Sequence, residues 1–202
     1  MEKKIANLIS TIFHPIIIPT YFFIAIFNIN TYISLIIPYN TKLFLLGIVF
    51  LSTFLLPLLL TFIFIKKGFI KSLQMETREE RTYPFIFTSI CYYFTYYFFR
   101  QVNLPREYYM FLLGGLFLIL IIIIINFFWK ISIHSVSIGG VVGAFIGLSI
   151  QTNIYILHLI FLSIFISGLV GYSRLKLNAH KPAQVYVGFL TGFLVMFLFF
   201  VL

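Results

Sequence analysis

The sequence predicts an all-α membrane protein, a polytopic transmembrane bundle of about six to seven helices that forms a single domain over residues 1–202. Of the 202 residues, 61% are hydrophobic and only 9% are charged. Soluble domains carry about a quarter charged residues, so this composition excludes a soluble globular enzyme. A helix needs roughly 20 residues to cross a hydrocarbon core of about 30 Å, and the chain therefore has room for six or seven crossings.

Seven apolar runs are the candidate membrane segments, and only the third and the fifth are short. The continuously apolar stretch 116–125 favours helices, because strands of a membrane barrel alternate apolar and polar residues. The runs are Ile5–Phe27, Leu43–Ile65, Phe85–Phe99, Tyr108–Trp129, Ser135–Ile150, Ile154–Tyr172 and Val185–Leu202.

Two of these runs contain prolines or regularly spaced glycines that affect how their helices form or pack. The first follows basic residues as a signal peptide would, but it lacks a small-residue cleavage site and contains Pro15 and Pro19. We therefore expect a retained first helix. The fifth run carries Gly139, Gly143 and Gly147 at four-residue intervals, a spacing that lets two membrane helices approach closely.

The formal net charge of +9 comes from lysines and arginines in the connections between runs, where they set topology or hold anions. Nucleic acid is therefore not an expected partner. The most polar connections are 66–83, 129–134 and 173–184. Two runs separate each from the next, so all three emerge on one face. With the N-terminus, that face carries eleven of the 14 basic residues, which predicts a cytoplasmic side.

No metal or cofactor is expected. Cys91 is the only cysteine, so neither an intramolecular disulfide nor a cysteine-rich metal site can form. The sequence also lacks the His-x-x-x-His spacing and the histidine and carboxylate clusters of metal sites.

The third polar connection is the most informative segment. Ser173 and Arg174 are followed after five residues by His180, and after three more by Gln184. Pro182 indicates that His180 lies in the turn before the last helix. Gln184 is close enough in sequence to reach the imidazole in either a turn or a helix.

The other two connections add a histidine and several cations to the same face. The second contains Lys130, Ser132 and His134 at the start of the glycine-rich run. The first contains Lys71 and then, after six residues, Arg78, followed by Glu79, Glu80, Arg81 and Pro84.

The three segments resemble the motifs of the type 2 phosphatidic acid phosphatase (PAP2) superfamily, which includes lipid phosphatases and vanadium haloperoxidases. The third motif, Ser-Arg, five residues, His, three residues, Asp, is similar to the segment from Ser173 to His180, with Gln184 in place of the aspartate. The second motif, Ser-Gly-His, resembles Ser132 to His134 with isoleucine in place of glycine. The resemblance covers residues 71–188.

The first family motif, Lys, six residues, Arg-Pro, is met only loosely. Lys71 and Arg78 keep the spacing, but Glu79 replaces the proline. Arg81 has a proline nearby, but Gln74 stands where the lysine belongs.

The resemblance implies a PAP2-like core and a metal-independent phosphatase acting on a lipid phosphomonoester or polyprenyl diphosphate in the bilayer. His180 would be the nucleophile that forms a phosphohistidine, His134 the general acid, Arg174 a catalytic cation and Gln184 the group that orients His180. The remaining candidates, for binding the phosphate, are Lys71, Arg78, Arg81, Lys130, Ser132 and Ser173.

The departures from the family keep a second class of function open. A neutral Gln184 can accept a hydrogen bond but cannot stabilise an imidazolium as aspartate would, unless Glu79 or Glu80 supplies the charge. The alternatives are a degenerate membrane protein that binds anionic lipid headgroups and an anion transporter. His14 and His158 are interpreted as interfacial residues.

The resemblance and the charge count disagree about the side of the membrane. Bacterial members of the family place the site on the periplasmic face of the cytoplasmic (inner) membrane, whereas the basic residues favour the cytoplasm. The sequence predicts no oligomeric state.

Overall fold

A computed structural model of the chain describes residues 1–71, 77 and 79–202, and every regular element in these ranges is helical. Five segments are long and apolar enough to cross a membrane: Tyr39–Lys66, Arg106–Phe128, Ile133–Thr152, Leu157–Lys176 and Pro182–Val201. The predicted all-helical membrane class is confirmed. The helices are α1 (Glu2–Ile12), α2 (Ile18–Asn28), α3 (Tyr32–Leu35), α4 (Tyr39–Val49), a π-helical turn (Phe50–Leu55), α5 (Leu56–Lys66), α6 (Glu79–Gln101), α7 (Arg106–Phe128), α8 (Ile133–Thr152), α9 (Leu157–Lys176) and α10 (Pro182–Val201).

The first apolar run forms two helices, so the expectation of one retained helix over Ile5–Phe27 is wrong. Pro15 disfavours helical geometry at the residue before it, and the chain turns between α1 and α2. Pro19 lies in the first turn of α2, where proline is tolerated. With 11 residues, α2 is about 16 Å long and too short to cross the hydrocarbon core.

Helix α1 is amphipathic and packs against α9. Ala6 and Ser10 face the protein, and Glu2 forms an ion pair with Lys176 in the last turn of α9. Ile5 and Leu8 are exposed on the opposite side of α1. The N-terminus therefore lies at the same end of the bundle as the connection that follows α9, as the sequence predicts.

Helix α6 is longer and more polar than the third apolar run. It has 23 residues, a length of about 35 Å, and begins with Glu79 and Glu80, whose charges favour a helix N-terminus. A short turn at 102–105 joins it to α7, against which it packs as an antiparallel neighbour. Its tyrosine, serine and threonine side chains make α6 less hydrophobic than the five apolar segments.

The closest helix pair is α8 with α10, whose backbones touch through glycine. A methyl group on Gly143 would lie 2.2 Å from the Phe193 carbonyl oxygen, and one on Gly192 would lie 1.9 Å from the Val136 carbonyl oxygen. Both distances are shorter than the van der Waals contact distance between a carbon and an oxygen atom. The expectation that the glycine stripe brings two helices together is confirmed.

Gly143→Ala should destabilise the protein, because the added methyl group can be accommodated only if α8 and α10 separate. Overpacking of this kind costs about 1–3 kcal/mol, and we expect the midpoint of thermal unfolding in detergent to fall by roughly 3 °C or more. The matched control is Gly168→Ala on α9, where a methyl group meets nothing within 4 Å. A midpoint for Gly143→Ala equal to that of the control would contradict the close contact.

Candidate functional site

The cationic cluster consists of Arg81, Lys130 and Arg174 around His180. These residues come from the start of α6, the connection before α8, the last turn of α9 and the turn before α10. All three positive charges act on the His180 imidazole. The three polar connections therefore meet at one end of the bundle, as their spacing predicts.

The chain places His180 by ending α9 and starting α10 within a few residues. The Ala179 amide donates to the Arg174 carbonyl at 3.2 Å, and Asn178 adopts a left-handed conformation that stops the helix. Pro182 then occupies the first position of α10. The prediction that His180 lies in the turn before the last helix is confirmed.

Gln184 fixes the tautomer of His180. Its Oε1 atom lies 3.1 Å from His180 Nδ1 and also accepts the Lys181 backbone N–H at 3.0 Å. A backbone N–H can only donate, so the atom it contacts is the amide oxygen, which only accepts. His180 Nδ1 therefore carries the proton, and Nε2 presents a lone pair.

The surroundings of His180 also keep it neutral. Burial is the main cause that lowers the pKa of His180 to about 4, and the positive charges of Arg174, Arg81 and Lys130 lower it further. The hydrogen bond to Gln184 opposes this shift in pKa only in part. At neutral pH the imidazole is uncharged and available as a base or nucleophile.

His134 lies at the start of α8 and is joined to Arg174 through Ser10 of α1. The Arg174 Nη1 atom donates to Ser10 Oγ at 2.6 Å. His134 Nε2 lies 3.1 Å from the Ser10 carbonyl oxygen and 3.3 Å from Ser10 Oγ. A carbonyl only accepts, so His134 Nε2 carries a proton. No sequence motif pointed to Ser10, which lies 124 residues from His134.

His14 is a second residue near the site that the sequence analysis did not include among the site residues. Its ring meets the His134 ring edge to face, with centroids 5.3 Å apart, although His14 is itself exposed at the protein surface. It therefore borders the site. The one sequence feature that could have indicated this position is Pro15, which ends the helical geometry next to His14. His158 is exposed at the start of α9, at the opposite end of the bundle.

The two serines predicted to bind phosphate, Ser132 and Ser173, are buried in helix packing. Both are 0% exposed. Ser132 Oγ accepts from Ser135 Oγ at 3.0 Å, and Ser173 Oγ donates to the Val170 carbonyl at 2.9 Å. Both hydroxyls are engaged in hydrogen bonds to residues three positions away in the same helix or at its start.

Of the two alignments of the first motif, the structure brings Arg81 to His180. Arg81 is buried and its charge acts on the imidazole, next to the charge of Glu80. Lys71 is exposed, and its backbone amide donates to Glu80 Oε1 at 3.2 Å. Lys71 is not among the charges that act on His180 within the described residues. Arg78 and Gln74 lie outside the described residues.

This arrangement is suited to an anion. Arg174 Nε is buried and has no hydrogen-bond partner in the described part of the chain, so one strong donor in the cationic cluster is unsatisfied. Within the same ranges, no three histidine, cysteine, aspartate or glutamate side chains converge to hold a metal ion. A neutral imidazole beside several fixed cations can bind and attack a phosphoryl group.

His180 should stay reactive toward diethyl pyrocarbonate, which acylates neutral imidazole, from pH 7 down to about pH 5, because its pKa is about 4. Gln184→Glu keeps the side-chain length and adds a negative charge, which raises the His180 pKa. The reaction rate of that variant should therefore fall as the pH decreases through this range.

Mass spectrometry of the His180 peptide, with an added histidine peptide as the reference, measures both rates. A parent rate that halves near pH 6.5, the ordinary value for histidine, would contradict this account of the site.

Comparison with protein-family models, with curated proteins and with solved structures finds no match to this chain. The function of the site is therefore inferred from its own geometry: a neutral imidazole held by an amide, three cations, and a second histidine nearby.

Proposed function

We propose that this chain is an integral membrane phosphatase that hydrolyses a lipid phosphomonoester or polyprenyl diphosphate through a phosphohistidine on His180. The observation that carries the proposal is the contact of 3.1 Å between His180 Nδ1 and Gln184 Oε1, inside the cationic cluster. This contact leaves His180 Nε2 as the free nitrogen of a neutral imidazole.

In the first step, the His180 Nε2 lone pair forms the N–P bond while the P–O bond to the lipid breaks. Arg174, Arg81 and Lys130 neutralise the oxygens of the transferring phosphoryl group. For this step His134 must be an imidazolium, protonated on both ring nitrogens beside the negatively charged substrate; it gives its Nε2 proton to the leaving oxygen and becomes a neutral imidazole. The Ser10 carbonyl holds that proton on Nε2 before the substrate arrives.

In the second step, water attacks the phosphohistidine and His134 accepts its proton. The N–P bond breaks, so that His180 returns to its starting form and inorganic phosphate leaves. Gln184 keeps its hydrogen bond to Nδ1 in both steps and fixes the ring without adding charge. None of these roles requires a metal ion.

A lipid substrate fits the position of the site at one end of a membrane bundle, where a headgroup enters from water while its chain stays in the bilayer. We infer that α6 also crosses the membrane, since it is long enough and packs along α7. The segment that contains α2 carries the chain from the end that holds α1 to the opposite end, where α4 begins, which makes seven passages in all. The PAP2-like motifs support the same reaction class, and we infer a bacterial cytoplasmic membrane as the location of the chain.

A protein that only binds anionic headgroups is the second candidate. Gln184 favours it, because a neutral amide does not stabilise positive charge on His180 as a carboxylate would. Such a protein would bind the lipid phosphate without releasing phosphate.

The purified protein, in detergent with EDTA, should release phosphate from at least one of phosphatidic acid, phosphatidylglycerol phosphate and polyprenyl diphosphate. His180→Ala should abolish release, because it removes the nucleophile. His134→Ala should slow it roughly 10²-fold to 10⁴-fold, as expected for loss of a general acid. Arg174→Ala should also be severe, since it removes a cation that holds the phosphoryl oxygens.

The matched control is His158→Ala, which removes an exposed histidine at the opposite end of the bundle and should keep full activity. Full activity in His180→Ala, or no release from any of the three substrates by the parent, would overturn the proposal.

A further inference from the structure

An apolar groove of about 230 Å³ runs between α2, α8 and α9. Ala25 lies on its α2 wall, Ile138 and Phe145 form its floor on α8, and Ser163 and Ile166 lie on its α9 wall. Helices α2 and α9 both pack on α8 and leave this space between them.

The polar atoms along the groove are already satisfied. Ser163 Oγ donates to the Ile160 carbonyl at 2.8 Å, and the Tyr21 hydroxyl donates to the Ile12 carbonyl at 3.2 Å. The surface offered to a ligand is therefore hydrocarbon.

The groove begins about one helical turn from the candidate site and lies on the same faces of two helices as residues of that site. On α8, Ile138 and Phe145 follow His134 at positions i+4 and i+11, so the three lie on one face. On α9, Ser163 precedes Arg174 by 11 residues and shares its face. The path from His134 to Phe145 is about 16 Å along the helix axis.

The volume suits one hydrocarbon chain. A cavity of about 150 Å³ holds one benzene ring, so about 230 Å³ holds on the order of nine carbon atoms.

We propose that the groove between α2, α8 and α9 binds one hydrocarbon chain of the phosphate substrate while its headgroup lies in the cationic cluster. This inference rests on the proposed function and adds the substrate class: the enzyme recognises the first carbons of a single chain next to the phosphate. A water-soluble phosphate ester makes no use of the groove.

Ser163→Trp and Ala25→Phe fill the groove from opposite walls, so the test does not depend on one variant folding. For each, we expect the ratio of kcat/KM on dodecyl phosphate to kcat/KM on p-nitrophenyl phosphate to fall at least tenfold. The matched control is Ile164→Trp, on the exposed side of α9, whose ratio should stay within twofold of the parent. An unchanged ratio in both groove variants overturns the inference.

A second measurement separates failure of this inference from failure of the proposed function. Dodecyl phosphate with a photoreactive group at its chain end should crosslink to peptides of α8 and α9 that line the groove, whether or not the protein turns it over. A dodecyl trimethylammonium probe with the same photoreactive group should crosslink there at least fivefold less. Equal crosslinking by both probes, or crosslinking elsewhere, overturns the groove even if phosphate is released.

Discussion

The backbone contact between α8 and α10 is the constraint on which the site depends. Glycines let the two helices touch, and the contact extends to their first turns, where a methyl group on Gly188 would lie 2.9 Å from the Ser132 carbonyl oxygen. The Ser132 amide donates to the Gln184 carbonyl at 3.2 Å at the same place. This contact sets the start of α8, which carries His134, beside the turn that carries His180.

Helix α1 completes the site from the other side. Ser10 bonds both Arg174 and His134, while the Glu2 and Lys176 pair holds the beginning of α1 against the end of α9. The exposed apolar residues of α1 face away from the protein, as in a helix that lies in the plane of the membrane interface. Ser10 occupies Arg174 Nη1 and His134 Nε2, the two atoms that the proposed reaction uses. A bound phosphoryl group would therefore replace Ser10 at these atoms.

Much of this arrangement was predictable from the sequence, because it depends on local spacing. The four residues from His180 to Gln184, with Pro182 between them, define the turn, and the glycine stripe defines the closest helix pair. Ser10 and His14 were not predictable, since their contacts with His134 join residues more than a hundred positions apart. The burial of Ser132 and Ser173 was not predictable either, because the spacing of a motif does not show in which direction a hydroxyl points. The break at Pro15 was visible, yet its consequence, two short helices in place of one span, needed tertiary packing.

The most direct test of the central claim is to trap the covalent intermediate. The protein is incubated with a substrate labelled in its phosphate, quenched by denaturation in alkali, where phosphohistidine survives, and digested for mass spectrometry. We expect acid-labile label on His180, as the Nε2-phospho isomer, because Nδ1 is held by Gln184. Phosphate release without labelled protein, or label on any other residue, would contradict the account.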